Sequence, residues 1–468
     1  MGKIQKRFED QVIAIANAIA NFPRDRNLLV ASHIDADGIT SAGIISTVLS
    51  DLHVPFHLTF FKQMLTDDVK AVVSKGYDSV LLMDFGTSHI EYLDRVAEED
   101  LEVYIVDHHQ PTLEYEPRHI FILNPYFHGL DGSREISTSG LAYLIAKKIG
   151  GYEHLLPIAI AGAIGDRQHE GGFHGLNREL LKYAVDSGLV NVVSEVNLFG
   201  GPKHPLLFAL ERTVDPYIPG ITSDQSACFE FLTNIGIEPM KQGAWVTLRD
   251  LDERKKRILV SELVKRIASE SGKASAARKL IGEIYYWNFE DDTSPIKDLR
   301  DFSTILNACG RMGYGGFGVA LCMGYRGWYL AQALKVYQEY RQNISSAIKN
   351  ILSNFKERVR VHNGLAFISG EDIIQDTMIG TITSILLGLK EFEQVEIAIG
   401  FSKVNNNFLK VSGRAKANTG LNLGKVMSEI SVNLEGEGGG HRLAAGCTIP
   451  VKHKDKFIRE LSARLSTR

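Results

Sequence analysis

The sequence predicts an α/β protein: a doubly wound parallel sheet, then a mainly helical insert and a smaller C-terminal α/β domain. Three observations lead there. At 468 residues the chain exceeds what one hydrophobic core usually supports, so two or three domains are expected. Its first part alternates short apolar runs with helical patterns, as a parallel sheet with crossover helices requires. At about residues 200–300 the character changes to charge-rich helical segments, and the alternation resumes after a long helical pattern.

The elements follow in order. An opening amphipathic helix covers about residues 5–21, Asn27–Ser32 forms a strand, and Ile39–Leu52 a helix. Further strands fall at Val54–Phe61, Ser79–Met83, Leu101–Val106 and Ile120–Leu123. Two apolar helices come next, Ser139–Ile149 and His154–Ile164, the second running into Gly165-Asp166-Arg167. The domains are predicted at 1–195 for the parallel sheet, 196–325 for the insert and an Asn-Ala-Cys-Gly-Arg segment, 326–358 for a connector helix, and 359–468 for the last domain. The insert holds one strand-like run, Leu280–Tyr286, and the last domain strands at Leu365–Ser369, Val395–Gly400 and Phe408–Ser412. No internal repeat or low-complexity stretch is visible, which sets solenoid and disordered-scaffold readings aside.

Composition narrows the function classes. With 44% hydrophobic and 23% charged residues and no apolar run of roughly 20 residues, the chain reads as soluble. Its N-terminus lacks the pattern of a secretory signal, so cytoplasmic residence is expected. A net charge of −4 argues against coating nucleic acid through global electrostatics while leaving room for a local basic groove. Cys228, Cys309, Cys322 and Cys447 are widely spaced and form no Cys-x-x-Cys pair, so they read as buried thiols rather than a zinc site or disulfide framework.

The chemistry lies at strand ends. In an open parallel sheet the carboxyl ends of the strands form the ligand crevice, so residues just past them converge although distant in sequence. In Ser32-His33-Ile34-Asp35-Ala36-Asp37-Gly38, alternation along an extended stretch places His33, Asp35 and Asp37 on one side, with Gly38 permitting the turn into the helix. Asp84 ends the apolar run Leu81-Leu82-Met83, and Asp107-His108-His109 ends another, before Pro111. Asp166 follows an apolar helix. A single strand-end Asp is as often a helix cap, and a single His a satisfied structural residue. Their accumulation in one domain is what points to metal. Carboxylates with imidazoles suit Mn2+ or Mg2+, and crowded carboxylates need cationic charge to stay ionised. Two divalent ions about 3.5–4 Å apart activate water and clamp both oxygens of an in-line phosphoryl displacement, so phosphodiester hydrolysis is the expected reaction.

These residues resemble the Asp-His-His (DHH) phosphoesterases, through His33-Ile-Asp-Ala-Asp-Gly38, Asp84, Asp107-His-His109 and Asp166 in the same order and spacing. Two further segments are similar to the same family: Gly438-Gly439-Gly440-His441 with Ser412-Gly-Arg414 resembles the substrate-holding motifs of the DHH-associated domain, and Asn307-Ala-Cys-Gly-Arg311 resembles a motif of the RecJ branch. The resemblance implies that His33, Asp35, Asp37, Asp84, His108 and Asp166 are metal ligands, with Asp84 bridging two ions. It also implies that His109 contacts the scissile phosphate and Asp107 orients an imidazole, and that Asn307, Arg311, Ser412, Arg414, Gly438, Gly439, Gly440 and His441 hold substrate. No ligand position is substituted, so catalysis is expected, unlike in a replication-helicase subunit of the family whose site has decayed.

The glycine run frees the backbone for an anion-binding nest, and Arg414 offers a bidentate fork to phosphate. The leading expectation is a two-metal exonuclease on single-stranded DNA or RNA in replication or repair. The alternatives are a small-substrate phosphoesterase cleaving nanoRNA, cyclic dinucleotides or pyrophosphate, and a replication-fork scaffold. The archaeal RecJ-like members associate with the GINS complex, which the resemblance makes a partner through the insert. Tyr314, Phe317, Tyr325 and Trp328 are assigned to core packing rather than base stacking.

Overall fold

The computed structural model describes residues 2–62, 66–97, 101–111, 115–198, 201–213, 218, 220–222, 224–271, 280–292, 294–416, 419, 421–440 and 442–466. The chain divides into two compact units, Met1–Val193 with Ile284–Tyr340, and Ser194–Glu283 with Arg341–Arg468.

In the first unit five strands, β1 (Leu28–His33), β2 (Phe56–Phe61), β3 (Ser79–Met83), β4 (Glu102–Val106) and β5 (Phe121–Leu123), form a sheet in the order β2-β1-β3-β4-β5. Each pairing in it is parallel. The near-continuous apolar runs read from the sequence suit strands covered on both faces. Leu28 and Val30 of β1, Leu81 and Met83 of β3 and Val106 of β4 enter one core. The intervening Leu29, Ala31, Val80, Leu82 and Ile105 enter another on the opposite face.

The first face is covered by α1 (Gly2–Ala20), α2 (Ala36–Asp51), α5 (Thr138–Ile149), α6 (Leu156–Gly165) and the helix Leu299–Arg311. The second is covered by α3 (Thr66–Val73) and α4 (Ile90–Ala97). This is the doubly wound arrangement, and the strand order reverses at β1, which puts the crevice beyond the carboxyl ends of β1 and β3. α6 is apolar all round because it is buried all round, from Leu156 to Ile164. It delivers Asp166 to the crevice at its C-terminal end.

In the second unit, helices Leu206–Arg212, Gln225–Asn234 and Glu253–Ser271 close a core of their own around Leu207, Leu210, Phe231, Leu232, Leu259 and Leu263. A six-stranded mixed sheet follows, in the order Val359–His362, Leu365–Ser369, Ile397–Lys403, Phe408–Ala415, Ala444–Pro450, Glu437–Gly440. Met427 and Ile430 of helix Leu423–Asn433 and Phe457 and Leu461 of helix Lys454–Ser466 pack on one face with Ile399, Val411 and Cys447. The long helix Trp328–Ser353 occupies the region read as a connector, and the boundary between the units falls within it. All four cysteines are free and buried. Among the described residues no helix is long and apolar enough to cross a membrane.

Candidate metal centre

The segment after β1 folds differently from an extended run. His33 is the last residue of the strand, Asp35 is the N-cap of α2, and Asp37 lies in the first helical turn. The cap forms because the Asp35 Oδ1 accepts the Gly38 backbone N–H at 3.0 Å, a bond that an Asp at this position makes readily. Strand alternation therefore does not bring the three side chains together; a strand end followed by a tight helix start does. Gly38 is not in a left-handed conformation, and its role also differs from a turn former. A Cβ there would lie 2.3 Å from the His33 carbonyl oxygen, so the close approach of helix start to strand end demands glycine.

Asp84 follows β3 with φ of +68°, a left-handed conformation uncommon outside Gly, Asn and Asp. Its N–H still donates to the Val106 carbonyl at 2.9 Å, so the backbone is tied to β4 while the carboxylate swings over the strand ends. Asp107, His108 and His109 leave β4 beside it, and Asp166 caps the C-terminus of α6.

The six side chains meet in two groups joined by Asp84. His33 Nδ1 lies 2.8 Å from Asp35 Oδ2 and 3.4 Å from Asp84 Oδ2. His108 Nε2 lies 3.0 Å from Asp166 Oδ2, 3.4 Å from Asp84 Oδ1 and 3.9 Å from Asp37 Oδ2. His33, Asp35 and Asp84 thus form one potential ligand triad, and Asp37, His108 and Asp166 a second; Asp84 with His108 and His109 forms a third that overlaps both.

The residues present fit divalent metal on two grounds. His33 Nδ1, Asp84 Oδ2 and His108 Nε2 are buried without a hydrogen-bond partner, each aimed into the cluster. Four carboxylates packed together, with no ion pair to a Lys or Arg among the described residues, are costly unless a cation or protons neutralise them. The hard oxygen and imidazole donors match Mn2+ or Mg2+.

Outer partners fix the donors. The His33 Nε2 N–H donates to the Lys62 carbonyl at 3.2 Å, leaving Nδ1 to face the carboxylates. The His108 Nδ1 N–H donates to the Gly132 carbonyl at 2.8 Å, leaving Nε2 for the cluster. Asp37 accepts the backbone N–H groups of Thr138 at 2.7 Å and Ser139 at 3.0 Å at the start of α5, and the Thr138 hydroxyl donates to Asp84 Oδ1 at 3.0 Å. Gln168 donates to the same Gly132 carbonyl at 2.9 Å.

None of Lys62, Gly132, Thr138, Ser139 and Gln168 was singled out from sequence. The Ser137-Thr138-Ser139 run, a helix-start signature, was the one visible signal.

Burial alone lifts the Asp37 carboxyl, and repulsion from Asp84 and Asp166 adds to it, pushing it up to about 8. Asp166 is likewise raised by burial, against the pull of His108. For His33, burial favours the neutral ring, but Asp35 and Asp84 outweigh it and its pKa is raised; His108 is raised similarly by Asp166 and Asp84. In Asp35 the His33 partner and the Gly38 amide overcome burial and lower the carboxyl. Without metal the cluster therefore holds protons that a cation would displace.

Asp107 is buried. It accepts the Thr87 N–H at 3.1 Å and the His109 N–H at 3.1 Å, and pairs with His109 Nδ1 at 2.8 Å. Burial opposes its ionised form, but His109 more than reverses this and its pKa is lowered. The His109 ring is partly exposed, with Nδ1 held by Asp107.

Asn307 lies against the metal loop: its Oδ1 accepts the Ala36 N–H at 3.0 Å, at the start of α2. Gly310 touches the same loop, since a Cβ there would sit 1.6 Å from the Ile34 carbonyl oxygen. Arg311 ends that helix.

In the second unit Ser412 and Arg414 are two apart on one strand, with Arg414 Nη1 donating to Ser412 Oγ at 3.1 Å. Both lie against Gly380 in the first turn of helix Ile379–Leu387, where a Cβ would be 2.6 Å from Arg414 Nη2 and 3.0 Å from Ser412 Oγ. Gly438, Gly439 and Gly440 form most of the edge strand Glu437–Gly440. His441 lies outside the described residues.

One assignment is corrected. Tyr314, Tyr325 and Trp328 are not core residues, being 48%, 53% and 61% exposed; Phe317 alone of the four packs against the core.

Comparison with known proteins agrees with this architecture. Residues 27–164 match the DHH family N-terminal domain, 198–281 the DHH-CID domain and 363–467 the DHHA1 domain. The uncharacterized protein MJ0831 of Methanocaldococcus jannaschii is 27% identical over 437 residues, spanning 92% of this chain and 91% of the relative. Among solved structures, CDC45 from Entamoeba histolytica superposes with a TM-score of 0.67 at 14% identity, over 98% of this chain and 99% of that one. Exonuclease RecJ bound to manganese superposes with a TM-score of 0.56 at 15% identity, over 97% and 94%. With its three domain matches in the same chain and a parallel-sheet unit followed by a mixed-sheet domain, this chain belongs to the DHH family and has the RecJ-like fold.

Proposed function

We propose that the chain is a metal-dependent phosphodiesterase that hydrolyses single-stranded DNA or RNA from an end, in replication or repair. The observation that carries this reading is the pair of ligand triads His33, Asp35, Asp84 and Asp37, His108, Asp166, linked by the Asp84 carboxylate that faces an imidazole of each. Two divalent ions, Mn2+ or Mg2+, would be held by His33, Asp35, Asp37, Asp84, His108 and Asp166, and when bound supply activation of water and charge neutralisation at the phosphoryl group.

The protein's own groups do the rest. Against the effect of burial, His109 has its pKa raised by Asp107, and its partly exposed ring would face a phosphate oxygen. Arg311 contacts the strand backbone. Asn307 holds the metal loop through Ala36, and we assign it that positioning role in place of substrate contact. Ser412 and Arg414 hold a further phosphate against the first turn of helix Ile379–Leu387, where backbone N–H groups favour anions; Gly438, Gly439, Gly440 and His441 are assigned to substrate by the family resemblance. The fold shared with an exonuclease is consistent with a nuclease reading.

The test is product analysis on 5′- and 3′-labelled single strands of DNA and RNA with Mn2+ or Mg2+. Stepwise release of mononucleotides from one end, abolished by Asp35→Ala, is expected. Cleavage confined to dinucleotides, cyclic dinucleotides or pyrophosphate sinks the reading.

We further propose that the 198–281 segment, which closes its own core and matches the DHH-CID domain, docks the GINS complex. Pull-down by the Asp35→Ala protein then persists, and absence of any GINS contact removes this role.

A further inference from the structure

The aromatic residues that follow Arg311 form one continuous surface ladder. Tyr314 stacks on Phe317 with ring centroids 5.7 Å apart and planes 4° from parallel; Phe317 meets Trp328 at 5.6 Å, Trp328 meets Tyr329 at 5.2 Å, and Tyr329 meets Tyr325 at 5.5 Å. Only Phe317 packs against the core beneath; Tyr314, Tyr325, Trp328 and Tyr329 are 48%, 53%, 61% and 37% exposed. Large apolar rings left this open are rarely neutral features of a surface.

Two observations say what covers them. The first is position. The ladder begins three residues after Arg311, on the chain that braces the metal loop through Asn307 and Gly310, and Gly315 packs directly on Phe60 near the carboxyl end of β2. The second is charge. From Phe302 to Gln338 the sequence contains no Asp or Glu, although acidic residues number 56 in the chain, and the same stretch carries Arg311, Arg326 and Lys335. A stretch without acidic residues, carrying exposed rings, Arg311 and Lys335 and an Arg326 already paired with Glu290, suits a polyanion that carries its own flat rings.

The ladder is also held in place. Arg326 donates to the carbonyls of Leu321 at 2.7 Å and Tyr325 at 2.8 Å, and is ion-paired with Glu290, so the turn bearing Tyr325 and Trp328 is fixed before any ligand arrives.

We propose that Tyr314, Phe317, Trp328, Tyr329 and Tyr325 stack the unpaired bases of a single-stranded nucleic acid whose scissile phosphate lies at the metal centre. The inference rests on the reading of that centre as acting on nucleic acid, and it adds where the bases go. Stacking on rings is indifferent to sequence, so the ladder grips DNA and RNA alike and gives no preference among bases.

The experiment is binding of an unstructured oligothymidylate to the full-length protein in EDTA, where hydrolysis cannot occur, followed by anisotropy of a labelled strand. Trp328→Ala and Tyr314→Ala each weaken binding about tenfold, because a single stacking contact contributes on that scale. An abasic strand of the same length binds the unaltered protein more weakly than the oligothymidylate binds either variant, because it loses every stacking contact. Mn2+ binding, read by calorimetric titration, is the same in both variants as in the parent, which separates lost strand binding from a damaged metal centre.

Unaltered affinity in the variants, or equal binding of abasic and base-bearing strands, overturns the proposal. So does a change in light-scattering mass on Trp328→Ala, which would make the ladder a contact between copies. A protein that binds strands through the ladder yet never cleaves them refutes the proposed hydrolysis while leaving the ladder intact.

Discussion

At Asp84 one carboxylate faces both halves of the centre, with Oδ2 towards His33 and Oδ1 towards His108. No other side chain among the described residues enters each half through a different oxygen, and its left-handed backbone holds it there. Asp84→Asn keeps the shape and removes the charge, so it is expected to lower hydrolysis by about a thousandfold or more, the scale on which removing one preorganised charge-stabilising group is felt. Circular dichroism should stay native; activity within tenfold of the unaltered protein would contradict the shared role. Thr138→Ala removes the hydroxyl that donates to Asp84 at 3.0 Å and is expected to weaken Mn2+ binding about 10-fold to 100-fold, as calorimetric titration would report.

At the scale of elements, the helix Leu299–Arg311 acts as a brace. It touches the loop after β1 twice, through Asn307 to the Ala36 N–H and through the bare Gly310 backbone to the Ile34 carbonyl. Asn307→Ala leaves that N–H without its side-chain acceptor and is expected to cost about 1–2 kcal/mol in urea unfolding. Gly310→Ala forces a methyl into backbone and is expected to cost about 3 kcal/mol, with metal affinity falling in parallel. Stability equal to the parent's in both variants would remove the brace.

This part of the site was not legible in the sequence, because the bond from Asn307 to Ala36 joins residues 271 apart and no local pattern encodes it. The clustering of His33, Asp35, Asp37, Asp84, His108 and Asp166 was legible, since strands that end in acids or imidazoles end at one edge of a parallel sheet. How His33, Asp35 and Asp37 meet was not, because capping by Asp35 replaces an extended run with a helix start. Exposure of Tyr314, Tyr325 and Trp328 was also hidden, since an aromatic residue in a helical pattern reads the same inside or outside a core.

For the molecule as a whole, the parallel sheet and three strands of the C-terminal domain could be read from apolar runs bounded by turns, whereas Val359–His362, Glu437–Gly440 and Ala444–Pro450 of its mixed sheet could not. What periodicity cannot show is that Ile284–Tyr340, after the insert, packs with the first unit. The folded chain also carries an electrostatic debt at its centre. Asp37 is pushed up to about 8 from an ordinary 3.8, and His33 and His108 are raised above 6.5. In each case the folded state binds a proton that the unfolded chain releases, so this stability is present at low pH and is lost as pH rises through the folded value.

The metal-free protein is therefore expected to lose stability between about pH 6.5 and 8, while Mn2+ affinity rises over the same window as ions replace protons. Adding Mn2+ at a hundred times its Kd should restore about 2.7 kcal/mol per site, and EDTA should remove it. Melting curves with and without chelator across that pH range check both; a metal-free melting temperature that climbs with pH would be the wrong sign.

The proposed activity depends on one centre in which Asp84 links two triads, and the direct measurement is the number of Mn2+ ions bound per chain at pH 8, by equilibrium dialysis with metal analysis. Two ions per chain, with binding at both positions disturbed by Asp84→Asn, are the predicted result. A single ion at saturation, or two ions whose affinities ignore the Asp84 substitution, would contradict it.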